Sequence, residues 1–96
     1  MNIIVENEAV KWFKEELRIN RNECIRFGVR YGGNSSIQPG YSLGIVSEKP
    51  DGEIVSVEKE GIIFFVDFDD LWYFQNYDLV VSYHKETEEI QFNYVK

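Results

Sequence analysis

Cys24-Ile25-Arg26-Phe27-Gly28-Val29-Arg30-Tyr31-Gly32-Gly33-Asn34-Ser35-Ser36 is the stretch on which the fold turns. From Cys24 the hydrophobic period is two: Ile25, Phe27, Val29 and Tyr31 share one face, and Arg26, Gly28 and Arg30 the other. Strict alternation of this kind predicts a strand with one buried face. Glycines, Asn34 and two serines follow, and Pro39-Gly40 closes a loop from Gly32 to Gly40, long for a hairpin connection. Tyr41, Leu43 and Ile45 then alternate again, which predicts the returning strand.

Working outward from this hairpin, residues 2–5 read as a short strand or lead-in. A helix then opens at Glu6 or Asn7 and runs to about Ile19, with Ala9, Trp12 or Phe13, and Leu17 as its apolar stripe. On the other side, Glu48-Lys49-Pro50-Asp51-Gly52 is a turn. Residues 54–57 form a short strand, and residues 62–68 are apolar on both faces, as a central strand should be. Asp69 or Asp70 is placed to cap a helical turn over residues 71–74. Two final strands, residues 79–84 and 90–95, flank a polar tip at residues 85–88, and the last is a candidate sheet edge. One helix, a run of strands and one short helical turn make an α+β domain with mostly antiparallel or mixed sheets, and 96 residues make a single domain, 1–96.

The run from Cys24 to Gly33 resembles the strand of HesB/IscA-like proteins that enters a Gly-Gly-Cys-Ser loop, and Tyr41-Ser42-Leu43-Gly44-Ile45 resembles the strand that leaves it. Asp69-Asp70-Leu71-Trp72-Tyr73-Phe74 is similar to a divergent Gram-positive branch of that family. The resemblance implies a HesB-like fold over nearly the whole chain and a link to iron–sulfur cluster biogenesis. In that family the loop cysteine is a cluster ligand and a Cys-Gly-Cys tail supplies others. Here the loop position is Asn34, and Phe92-Asn93-Tyr94-Val95-Lys96 carries no such motif. A cluster needs about four ligands, normally thiolates. Cys24 is the one cysteine and lies at the start of the strand, away from the ligand position. The chain is therefore expected to hold no cluster and to need no cofactor.

Charge narrows the partners. The net charge is −7 and the pI about 4.6, so a phosphate backbone or an anionic membrane surface is a poor match. The N-terminal residues show no basic stretch and no long apolar run, which leads us to expect a soluble, cytoplasmic protein.

Several residues could carry chemistry. Gly32, Gly33, Asn34, Ser35 and Ser36 could aim backbone N–H groups at a ligand, although turn geometry alone also selects them. Trp72, Tyr73, Phe74 and Tyr77 are dense for a short helical turn, and any left exposed would suit a protein partner or a homo-oligomer. Asp67, Asp69, Asp70, Asp78 and His84 could hold iron or another metal through oxygen and nitrogen, provided that they converge. Cys24 reads as a small half-buried hydrophobe on a strand. No nucleophile–base pair, phosphate loop or cofactor fingerprint is present, so the expected role is a non-catalytic binding module.

Overall fold

The computed structural model describes residues 1–96. Its elements are β1 (Ile3–Val5), α1 (Asn7–Glu16), β2 (Cys24–Asn34), β3 (Pro39–Ser47), β4 (Ile54–Lys59) and β5 (Ile62–Asp67). A 3-10 turn (Phe68–Asp70) leads into α2 (Leu71–Phe74), followed by β6 (Asp78–His84) and β7 (Glu89–Val95). The strands form two mixed sheets, β1-β6-β7 and β3-β2-β5-β4. Neighbours pair antiparallel except for β1 with β6 and β2 with β5, which run parallel. This is the α+β architecture that the alternating segments predict.

The core is aromatic. Phe13 of α1 meets Phe27 of β2 and Phe64 of β5, with ring centroids 6.2 and 5.1 Å away, and Phe27 stacks on Phe64 at 5.9 Å. Phe92 of β7 touches Phe27 edge-on at 5.6 Å, which joins the two sheets. Phe64 and Phe65 point to opposite faces of β5, and both are fully buried. A strand covered on both sides has no polar face to show, which is why residues 62–68 read as central.

α1 is shorter than its apolar pattern suggests. It ends at Glu16 rather than near Ile19. Arg18 turns left-handed (φ 55°), and the Ile19 N–H then donates to the Phe13 carbonyl at 3.1 Å. This reversal tucks Ile19 into the core and leaves Leu17 exposed. The buried stripe is accordingly Ala9, Val10 and Phe13, without Leu17. No helix is long and apolar enough to cross a membrane.

Candidate functional site

The loop after β2 is tighter than the sequence suggests. β2 and β3 stay paired from Ile25–Ser47 to Tyr31–Tyr41, slip at Gly32 and Gly33, and pair again at Asn34–Pro39. The slip needs positive φ at both glycines, 116° and 67°, which residues with a Cβ rarely adopt. The irregular segment is therefore only residues 35–38, not the expected Gly32-to-Gly40 loop.

Side chains then fasten the tip. Asn34 Oδ1 accepts the Gly40 N–H at 2.8 Å, and Ser35 Oγ accepts the Gln38 N–H at 3.0 Å. Ser42 Oγ donates to the Gly32 carbonyl at 3.1 Å. The side chains of Asn34 and Ser35 are thus spent on the backbone N–H groups of Gly40 and Gln38, and Asn34 acts as a clamp on its own turn. Ser36 makes no such bond and faces a groove of about 280 Å³ that Asn34 and Ser35 share with Phe92 and Tyr94 of β7.

An aromatic chain runs from this tip across α2 into the groove. Tyr31 meets Tyr41 at 5.8 Å, Tyr41 meets Trp72 at 5.2 Å, Trp72 meets Tyr73 at 6.3 Å, and Tyr73 meets Tyr94 at 5.8 Å, all edge-to-face. Its outer end is open, with Tyr31 92% and Trp72 51% exposed. The placing of Tyr31 on the buried face is thereby corrected: β2 runs on past its pairing with β5, which covers Cys24 to Arg26, and at the open tip the Tyr31 ring meets the edge of Tyr41 while staying exposed. Of the four aromatics expected to meet a partner, only Trp72 is exposed. Tyr73 and Phe74 are fully buried, and Tyr77 lies apart beneath the Lys96 ammonium, 4.8 Å from its ring centroid.

The inner end of the chain is a hydrogen-bonded pair, Tyr73 Oη to Tyr94 Oη at 2.7 Å. Burial first, and then this bond, push the Tyr94 pKa well above the usual 10.0. A folded-state pKa above the unfolded one means that the contribution is full below about pH 10 and is lost as the pH climbs past it. Alkaline titration followed by circular dichroism should therefore show unfolding that is blunted in Tyr94→Phe. Removing one hydroxyl strands the other, at a cost of about 1–2 kcal/mol. The Tyr73→Phe/Tyr94→Phe double variant should recover most of that in urea melts.

The acidic residues do not assemble into a metal centre. No group of three or more His, Cys, Asp or Glu side chains is placed to hold an ion. Arg26 claims Asp67 and Asp70, both 3.0 Å from Nη2, and Glu48, 2.8 Å from Nη1. Asp70 also lies 3.5 Å from the Val29 N–H. Neither Asp69 nor Asp70 caps the helical turn with its side chain, so the capping role is corrected: the guanidinium outcompetes a local N–H for Asp70. Asp69 lines a shallow acidic groove with Asp51 and Glu53. Asp78 accepts the Asn2 N–H at 2.7 Å, and His84 Nδ1 lies 3.3 Å from Thr87 Oγ1, so these two serve local structure. Sequence reasoning missed Arg26, whose partners lie more than twenty residues away, and missed Tyr31 and Tyr94 as members of the aromatic chain.

The family model described as "Iron-sulphur cluster biosynthesis" matches residues 1–95. The chain belongs to that family. A Bacillus subtilis protein named pyruvate dehydrogenase inhibitor is 45% identical, over 98% of this chain and 99% of its own length. An uncharacterised protein of Staphylococcus haemolyticus is 34% identical over 100% of both chains. The crystal structure of Escherichia coli SufA, involved in biosynthesis of iron–sulfur clusters, superposes with a TM-score of 0.66 over 96% of this chain and 79% of SufA. At 16% identity, that likeness speaks for the fold alone.

The residues present do not fit a cluster. The loop position is Asn34, whose amide oxygen is a hard donor and is already hydrogen-bonded. The single thiol, half-buried Cys24, lies at the far end of β2 beside Asn22 and Glu48.

Proposed function

We propose that this chain is a non-catalytic regulator that restrains pyruvate dehydrogenase by direct protein contact, through the open aromatic end of the β2–β3 hairpin and α2. The observation that carries this reading is the 45% identity, over almost the full length of both chains, to a protein named pyruvate dehydrogenase inhibitor. Three features support it. The thiolates that a cluster carrier needs have no counterpart at the loop. No catalytic constellation takes their place. The exposed Tyr31 and Trp72 supply rigid aromatic area of the type that dominates binding energy at protein interfaces. Family membership keeps a link to iron–sulfur assembly, but a link of fold rather than of cargo. The alternative, a metal handler using Asp67, Asp69, Asp70, Asp78 and His84, gains little when Asp67 and Asp70 pair with Arg26, Asp78 with Asn2 and His84 with Thr87, which leaves Asp69 without a second ligand of the set.

The test is a titration of the purified Bacillus subtilis pyruvate dehydrogenase complex with the chain, reading the rate of pyruvate oxidation and, by calorimetry, binding. Saturable inhibition with a defined stoichiometry is the expected result. Trp72→Ala, which removes an exposed ring while leaving the core intact, should weaken binding by about 2 kcal/mol, or roughly thirtyfold. An unchanged rate with no heat of binding at excess chain would overturn the reading.

A further inference from the structure

We propose that β3 is a strand-docking edge that receives an extended segment of the partner, one whose side chains alternate between apolar and acidic. The proposal rests on the regulatory reading above and names the surface by which it acts.

β3 is the outermost strand of its sheet and the longest edge strand in the molecule, with nine residues against six in β4 and seven in β7. Pro39-Gly40-Tyr41-Ser42-Leu43-Gly44-Ile45-Val46-Ser47 contains no charged residue, whereas β4 carries Glu58 and Lys59 and β7 carries Glu89. Proteins normally guard an open edge with a charge, a proline or a bulge within it, because the unpaired N–H and C=O groups are a template for another strand. β3 is unguarded from Tyr41 to Ser47, and its pairing with β2 is regular over that length.

The two faces of this edge state what would lie on it. On the inner face, Tyr41 and Ile45 are half-exposed, and Tyr41 leads directly to Trp72; an apolar side chain fits there. On the outer face, Arg30 of β2 lies across Gly44. A Cβ at Gly44 would sit 2.5 Å from Arg30 Cδ, so the missing side chain lets the arginine extend over β3 toward the edge. Arg30 is exposed and makes none of the ion pairs in the molecule. An added strand would set alternate residues beside it, and a carboxylate there could pair bidentately with the guanidinium. A second copy of this chain fits less well, because an antiparallel β3 pair about a two-fold axis near Gly44 would bring two Arg30 side chains together and offer neither a carboxylate.

The test uses the intact chain and the same pyruvate dehydrogenase complex. Arg30→Glu should weaken binding at least about tenfold, and Arg30→Lys should restore only part of it. Val46→Glu, on the exposed outer face, should weaken it similarly. Amide hydrogen exchange across residues 40–47 should slow in the complex. If the complex binds with unchanged affinity to Arg30→Glu and these amides exchange as before, the docking edge is wrong while the regulatory reading stands. If nothing binds, both fall. If the same amides slow with rising chain concentration and no complex present, the edge belongs to a second copy and the proposal is overturned.

Discussion

Phe13→Ala lowers the free energy of unfolding by about 3–5 kcal/mol, measured by urea denaturation at neutral pH. Phe13 is completely buried and is the one side chain of α1 that reaches two phenylalanines of the larger sheet, Phe27 and Phe64, as well as the edge of Trp12 at 5.2 Å. Deleting its ring removes apolar contact with three aromatic neighbours, and rigid rings on strands cannot collapse into the space as an aliphatic side chain could. A domain of this size holds only about 5–15 kcal/mol in total, so the variant should lose a large fraction of its stability. Phe13→Leu, which refills most of the volume, should lose less than half as much. If both variants melt like the native chain, α1 does not close the core in the way described.

Arg26→Met costs about 2–3 kcal/mol by the same measurement, for a different reason. The guanidinium fork reaches Glu48 beyond β3, Asp67 at the end of β5 and Asp70 in the 3-10 turn. Hydrogen bonding to Glu48, and then to Asp70, raises its pKa further, so it is a permanent cation. Removing it leaves three carboxylates facing one another, with the Asp67 and Asp70 side chains 22% and 15% exposed. Glu48 is 42% exposed and adds little because water screens it. Arg26→Lys should recover only part of the loss, since one ammonium cannot span both Nη positions. Adding Asp67→Asn to Arg26→Met should restore stability by relieving like-charge repulsion. If Asp67→Asn lowers stability as much in the variant as in the native chain, the two side chains are not coupled.

The hairpin was legible in the sequence because a period of two survives any tertiary context that buries one face. The central place of β5 was legible too, since a strand that is apolar on both faces from Ile62 to Val66 has nowhere else to go. Three features were hidden, each for a physical reason. Asp69 and Asp70 carry the sequence pattern of a cap, but the partner that wins Asp70 is Arg26, 44 residues away, and local pattern holds no information about it. Tyr31 continues the apolar alternation of Ile25, Phe27 and Val29, yet alternation reports a face and not whether anything lies beneath it. Ile19 enters the core only because Arg18 leaves the helical region, a step that no helical periodicity can encode. Of the candidate site, the loop and Trp72 were named from residue type; what joined them was the aromatic contact through Tyr41, which exists only after β3 folds back on β2.

Cys24 begins a strand whose eleven residues end at Asn34, so a probe on its sulfur would stand roughly 30 Å from the hairpin tip, at about 3.3 Å per residue. With no second thiol in the chain, a spin label or dye can be placed at one address without mutagenesis or scrambling. β2 thereby serves as a built-in ruler: its far end reports on whatever settles at the tip while staying clear of it.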